Sequence, residues 1–472
     1  MFIAEQLESI GFRYVTDCLE LMTPYGEELR RRPRFYKRGE LASLREEQKN
    51  IAALMKYVGS DATAVNAVLR LLMPVKDIRR SIANLGERTL SEVELFEIKR
   101  FLLELELLAP AASAFSGLEG VNITTLPAAL DIIDPDGTRS PSFYVSDRLS
   151  ERLASIRRER KQVDEGIKRE GMTDELSARR TRLAAEEEDE NARVRGLICE
   201  KLRPYREKLL ENALSIGRLD FALAKARLAE ASHASMPEVG AEAFAVKNMI
   251  NPKFAAVAEE RGSAFVPVSV RLETGSVVIT GANMGGKSVA IKTLALNAAL
   301  AMCGFAVFAE SMSLPALDDF FLLSEDREDA ESGLSSFGGE MKAFDSILRE
   351  TADEGKVLVL LDEFARGTNP HEGTALVKAA ARLFNRRSNT FAVIATHFDG
   401  VAKLARLHYQ VAGLRNTDEE RLVSELKAGS ALAKFMDYGL YPVPKDEEPP
   451  RDAVKIIRAL GVSSEFTELI DI

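Results

Sequence analysis

Eight consecutive residues of this chain have the types and spacing of a phosphate cradle: Gly281-Ala282-Asn283-Met284-Gly285-Gly286-Lys287-Ser288. They fit the pattern G-x-x-x-x-G-K-[ST], which needs a strand before it and a helix after it. Val277-Val278-Ile279-Thr280 reads as a short buried strand. Val289 to Cys303, rich in Ala and Leu and free of Pro and Gly, reads as a helix that stops at Gly304. A strand turning through glycines into a helix aims several backbone N–H groups and the positive end of a dipole at one spot. Lys287 adds a full charge for β- and γ-phosphates, and the Ser288 hydroxyl can ligate Mg²⁺.

Two carboxylates suit the same chemistry. Asp362 and Glu363 follow the apolar run Val357-Leu358-Val359-Leu360-Leu361, and an acid at a strand's carboxyl end is where Mg²⁺ needs an anchoring oxygen. Asp362 is assigned to the metal and Glu363 to orienting or deprotonating an attacking water. His397 follows the run Phe391-Ala392-Val393-Ile394-Ala395 and is placed to reach a γ-phosphate from a neighbouring strand.

The elements that must hold these groups divide the chain. Residues 1–148 read as mostly helical, with Leu95, Ile98, Phe101, Leu102 and Leu105 forming one apolar stripe. Turn residues between 121 and 148 (Pro127, Asp134-Pro135-Asp136-Gly137, Pro141) predict a loop or small hairpin there. Residues 149–236 are dense in charge of both signs. They predict two long antiparallel helices turning near Gly171-Met172-Thr173, a projecting arm, before a return to packed helix. Residues 237–442 alternate strands and helices, as an α/β nucleotide-binding domain does, with an edge strand expected at 264–270 because Pro267 cannot donate to a ladder. Residues 443–472 predict a Pro- and Glu-rich linker and a terminal helical segment.

Composition bounds the setting. The net charge is −10, the three cysteines are scattered, and no apolar run reaches membrane-spanning length. A cytoplasmic protein with reduced thiols and no membrane association is the expectation. An acidic total puts the burden of any nucleic-acid binding on local patches, of which Arg30-Arg31-Arg32-Pro33-Arg34-Phe35-Tyr36-Lys37-Arg38 is the best. A solvated helix end is the plainer reading of that run.

The order of these motifs resembles the MutS family. Thr280 to Ser288 comes first, then Ser335-Ser336-Phe337-Gly338-Gly339-Glu340-Met341, then Asp362-Glu363-Phe364-Ala365-Arg366-Gly367-Thr368-Asn369-Pro370, then Ala395-Thr396-His397. The resemblance implies a multidomain protein: an all-α core and lever with a short helical arm, followed by an ABC-like P-loop ATPase domain. It implies ATP and Mg²⁺ as cofactors and a homodimer whose ATP sites are completed across the interface. Ser335 would then contact the γ-phosphate held by the partner subunit, and Asn283 would reach the phosphates of its own site. Phe265, on the strand before the loop, would stack on adenine, and Asn369 to Gly373 would pack against the partner.

Departures from the family's pattern bear on the target. The chain opens at the helical core, without the mismatch-reading domain, and its arm is shorter than a DNA-gripping clamp. Ala282 replaces the usual proline, and Phe364-Ala365 the usual aliphatic-glycine pair. The motif Thr368-Asn369-Pro370-His371-Glu372-Gly373 looks more like the second MutS branch, yet that branch's nuclease-type tail is missing. Several short strings, among them Thr396-His397-Phe398-Asp399-Gly400 and Met436-Asp437-Tyr438, look similar to the ATPase subunits of reactivases for cobalamin-dependent lysine or ornithine aminomutases. Three functions follow: a machine that remodels a protein partner such as an aminomutase, a clamp on mismatched or branched DNA, or a binder with a dead nucleotide site. The acidic balance, missing domain and short arm favour the first over the second, and the intact lysine, acids and histidine disfavour the third.

Overall fold

A computed structural model describes residues 4–115, 117–281, 286–324, 336–351 and 355–414, and shorter pieces at 417–418, 422, 435–447, 456–457, 462–467 and 469–470. The chain divides into two compact units. One comprises Met1–Leu19, Arg34–Ala52 and Lys225–Ile472; the other comprises Glu20–Pro33 and Ala53–Ala224. Among the described residues, no helix is long and apolar enough to cross a membrane.

The second unit is helical. Its helix Glu92–Ala112 starts at a capping box, in which Ser91 and Glu94 bond reciprocally to each other's backbone N–H. The apolar stripe Leu95, Ile98, Phe101, Leu102 and Leu105 is fully buried along it. Lys99 on the same helix is buried as well. Its ammonium donates to Asp134 Oδ1 (3.0 Å) and to the Ser142 carbonyl (2.9 Å). Asp134 also accepts from the Thr138 hydroxyl and the Arg139 N–H, so one buried carboxylate gathers the loop 134–142. The expected loop at 121–148 is present but interrupted. It holds a short helix, Pro127–Ile133, and no strand among its described residues. Pro127 at the first helical position and buried Ala129, Leu130 and Ile133 account for it.

The arm consists of the helices Glu151–Glu170 and Asp174–Leu202. Gly171 ends the first in the left-handed region (φ 86°), and the Thr173 hydroxyl caps the second. A narrow apolar seam of Ile156, Val163 and Leu183, with Ile167 and Leu176 beside it, joins them. Around the seam the charges pair across the two helices: Arg157 with Glu187, Arg160 with Glu187, Arg179 with Glu159 and Arg180 with Asp164. Each such exposed pair adds little stability, but together they neutralise these four arginines locally.

The first unit carries the sheets. Its strands are β1 (Glu238–Val239), β2 (Phe244–Met249), β3 (Val268–Leu272), β4 (Gly275–Thr280), β5 (Ser311–Leu314), β6 (Asp319–Leu323), β7 (Val357–Asp362), β8 (Thr390–Ala395), β9 (Leu407–Gly413) and β10 (Asp437–Pro442). A four-stranded sheet has the order β1-β5-β2-β3, and a six-stranded sheet the order β10-β9-β4-β8-β7-β6. In the larger sheet β6 to β9 run parallel with β4, and β10 closes the edge antiparallel. Every residue of β4, β7 and β8 is buried, which is why they read as unbroken apolar runs. The expected strand at 264–270 begins only at Val268, directly after Pro267, and is the edge of the smaller sheet. Of the expected terminal helix, Ser464–Thr467 is helical, and most of the rest lies outside the described residues.

Replacing Lys99 by Met should leave Asp134 buried without its cation and cost about 3–5 kcal/mol of folding stability. A denaturant titration of Lys99→Met against the wild type checks this; an unchanged midpoint would show that the pair is dispensable.

Candidate nucleotide-binding site

β4 lies between β8 and β9 and ends at Thr280. Gly281 follows with φ 146°, and a Cβ there would come within 3.1 Å of both the side chain and the carbonyl of Val411. Only glycine fits under β9 at that point. Ala282, Asn283, Met284 and Gly285 lie outside the described residues, as does Ser335. The chain re-enters at Gly286 (φ 94°), which caps the helix Lys287–Met302 and faces the ring of Tyr438 on β10.

Lys287 is the first residue of that helix and is 3% exposed. Its ammonium donates back to the Gly281 carbonyl (3.0 Å), so it bridges the two ends of the phosphate loop. It also stands 3.6 Å from a Glu363 carboxylate oxygen. Burial depresses its pKa, against the opposing pull of Glu363. Ser288, the next residue, donates from its hydroxyl to Asp362 Oδ1 (2.9 Å).

Asp362 ends β7 and pairs in register with Ala395 of β8. Burial pushes its carboxyl up to about 6, although the Ser288 hydroxyl pulls the other way. Two hard oxygens on one spot, one of them an under-compensated buried carboxylate, fit a Mg²⁺ ion that completes its shell with water and phosphate. Glu363 follows with φ 55°, a conformation seldom adopted by a non-glycine residue. Its N–H donates to the Ala395 carbonyl (3.1 Å), and its carboxylate accepts from Arg366 (2.8 Å). His397 lies two residues beyond β8, its ring 4.5 Å from that of Phe398. Its Nδ1 is buried and has no partner among the described residues, as a group awaiting a ligand oxygen would be.

The structure therefore brings Gly281, Gly286, Lys287, Ser288, Asp362 and Glu363 together and sets His397 after the adjacent strand. The strand expected to carry Phe265 is corrected. Phe265 sits three residues ahead of β3, half-buried and outside any strand. Pro267 supplies no N–H for a ladder, and this delays the strand past Phe265. Gly373, expected at a subunit contact, is buried within the chain: a Cβ there would come within 2.7 Å of the Ala365 carbonyl. Asn369 caps the helix Pro370–Asn385, accepting from the His371 N–H.

Two residues of the site were not legible in the sequence. His408 on β9 bonds the Thr280 hydroxyl through Nε2 (2.8 Å) and the Pro444 carbonyl through Nδ1 (2.8 Å). A carbonyl only accepts, so Nδ1 carries the proton and Nε2 accepts from Thr280. Burial holds this imidazole below its ordinary pKa, and it remains a neutral brace under the start of the loop. Tyr438 is the other, a wall beside Gly286. No spacing points to His408, and Tyr438 entered above only within the string Met436-Asp437-Tyr438, with no role in the site attached.

Residues 277–444 match the MutS domain V family. The chain is 34% identical over 207 residues to the protein named Endonuclease MutS2 of Latilactobacillus sakei, covering 43% of this chain and 26% of that protein. It is 29% identical over 327 residues to the DNA mismatch repair protein MutS of Natronomonas pharaonis, covering 68% of this chain and 35% of that protein. A MutS2 endonuclease of Caldanaerobacter subterraneus is 29% identical over 61% of this chain and 34% of its own length. The matched stretch thus spans about a quarter to a third of these relatives.

The buried carboxylate yields a stability test. Its pKa is near 6 in the fold against an ordinary 3.8, so unfolding releases a strain that is complete above pH 6 and vanishes as pH falls toward 4. Asp362→Asn without nucleotide should therefore melt a few degrees higher than wild type at about pH 7.5, with the gap narrowing below pH 6 and closing near pH 4. An equal or lower melting temperature at the higher pH contradicts this origin of the shift.

Proposed function

The chain belongs to the MutS family through its domain V, and on that premise we propose that it binds Mg·ATP and hydrolyses it to drive a conformational switch. The observation that carries the reading is the meeting of Lys287 and Ser288, at a helix N-terminus, with Asp362 and Glu363 at the end of a strand in the same sheet. Lys287 and the N–H groups expected of the loop would hold the β- and γ-phosphates; Ser288 and Asp362 would hold Mg²⁺, which would supply charge neutralisation on the phosphate oxygens. Glu363 accepts a hydrogen bond from the attacking water and takes its proton as the oxygen bonds to the γ-phosphorus and the β,γ-bridging P–O bond breaks. His397 donates to the γ-phosphate and loses that partner once phosphate departs. Asn283 reaches the phosphates, Phe265 is the candidate for the adenine face, and Ser335 acts on the nucleotide of a second copy in a homodimer.

DNA is the target that the relatives' names support, since they are a mismatch repair protein and endonucleases. A specific observation keeps a protein target as the second reading. The arm's Arg157, Arg160, Arg179 and Arg180 are paired with acids, as are Arg30 and Arg31 with Glu27, and Arg34 with Glu40. Cations already paired release fewer counterions on meeting DNA. A machine acting on a protein such as a cobalamin-dependent aminomutase needs no such grip.

Lys287→Ala should abolish ATP binding, and Glu363→Gln should bind ATP with turnover reduced by about 10²-fold or more. Wild-type turnover by Glu363→Gln would remove its assigned role. Measured with and without duplex or branched DNA at two salt concentrations, ATPase activity should rise with DNA and lose that rise in high salt. No response to DNA at either salt would exclude the DNA target and leave the protein-directed reading.

A further inference from the structure

The turn after β7 is strained at two points: Glu363 and Ala365 have φ of 55° and 62°. Non-glycine residues persist in this region only where their surroundings over-determine it. Three neighbours do so. The Glu363 N–H is tied to Ala395 on β8. Gly373 presses so close that any side chain would strike both the Ala365 carbonyl and the Phe398 ring. The third neighbour is the helix Ser336–Glu350. Its Glu340 accepts from the Ala365 N–H at Oε1 (3.1 Å), and its Phe344, one turn on, packs against buried Phe364 with ring centroids 4.4 Å apart. Successive residues of the turn thus face different ways. The Glu363 carboxylate faces Lys287, the Phe364 ring faces Phe344, and the Ala365 amide faces Glu340.

We propose that Glu340 is a positioning residue for ATP hydrolysis: its carboxylate holds the Ala365 amide and so keeps Glu363 aimed at the attacking water. This rests on the role given to Glu363 above. A carboxylate accepting from a backbone N–H is a strong bond, and its loss frees the turn to relax out of the left-handed region. Relaxation swings Glu363 away from the water while the Lys287–Gly281 and Ser288–Asp362 hydrogen bonds stay in place. The arrangement also makes one mechanical piece of the acid and the first turns of the helix, so a displacement at the helix N-terminus reaches Glu363 through Glu340.

The test compares wild type, Glu363→Gln, Glu340→Ala and Glu340→Gln for steady-state ATP hydrolysis and for ADP affinity. Glu340→Ala should lower kcat by about 10- to 100-fold, with the ADP Kd within about threefold of wild type. Glu340→Gln, whose amide oxygen accepts the same bond, should restore most of the rate. Wild-type kcat in Glu340→Ala overturns the proposal, as does a Glu340→Gln that fails equally, or a loss of ADP affinity parallel to the loss of rate. If Glu340→Ala does not fold, Glu340→Asp, one methylene short of the amide, takes its place with the same expected loss. Failure of the underlying reading is separate: it appears as no hydrolysis by wild type, or full hydrolysis by Glu363→Gln.

Discussion

A buried ammonium needs negative charge close by, and the first unit is arranged around that need. Lys287 has little water around it and leans on the Gly281 carbonyl and, more distantly, the Glu363 carboxylate. Neither matches what a polyphosphate offers. Desolvation weakens the charged form of the lysine, and an anion placed between the loop and the helix restores it. The same holds in reverse for Asp362, whose ionised carboxylate is disfavoured by burial until a cation arrives. Cation and anion are thus each destabilised at a fixed spacing, and Mg·ATP, the ligand proposed above, would supply both counter-charges together.

The strain around them serves that spacing. β4 is pinned on one side by β8 and on the other by β9, and its last residue is braced by neutral His408. The left-handed turn at Glu363 is clamped from β8, from Gly373 and from Glu340. Rigid support of this kind lets a carboxylate be placed without solvent reorganisation during reaction. It also explains why Ala365 is tolerated where a glycine would be at ease: the clamps outweigh a penalty on the order of 1–3 kcal/mol.

How much of this could be read from the sequence follows from the range of each interaction. β4, β7 and β8 are buried on both faces, so their apolar runs announced them, and the acids at the end of β7 followed. The arm was equally legible, because Gly171 and Thr173 are local stop and start signals. Local signals failed where partners lie far apart in the chain. Thr280 and His408 are 128 residues apart, and Glu340 and Ala365 are 25 apart with a strand between them. Nor does the helix Leu41–Ser60 declare that its first part belongs with the sheets. That is set by Lys225, which reaches Glu47 and the carbonyls of Cys303 and Gly304 at the far end of the helix that begins with Lys287.

The central claim is that the phosphates, more than the base, are what this site was built to hold. Equilibrium binding of Mg·AMP-PNP to the wild-type chain, competed separately with tripolyphosphate and with adenosine, addresses it directly. Saturable binding that tripolyphosphate displaces and adenosine does not is the expected result. Displacement by adenosine alone, or no binding of the analogue in the presence of Mg²⁺, would contradict the account.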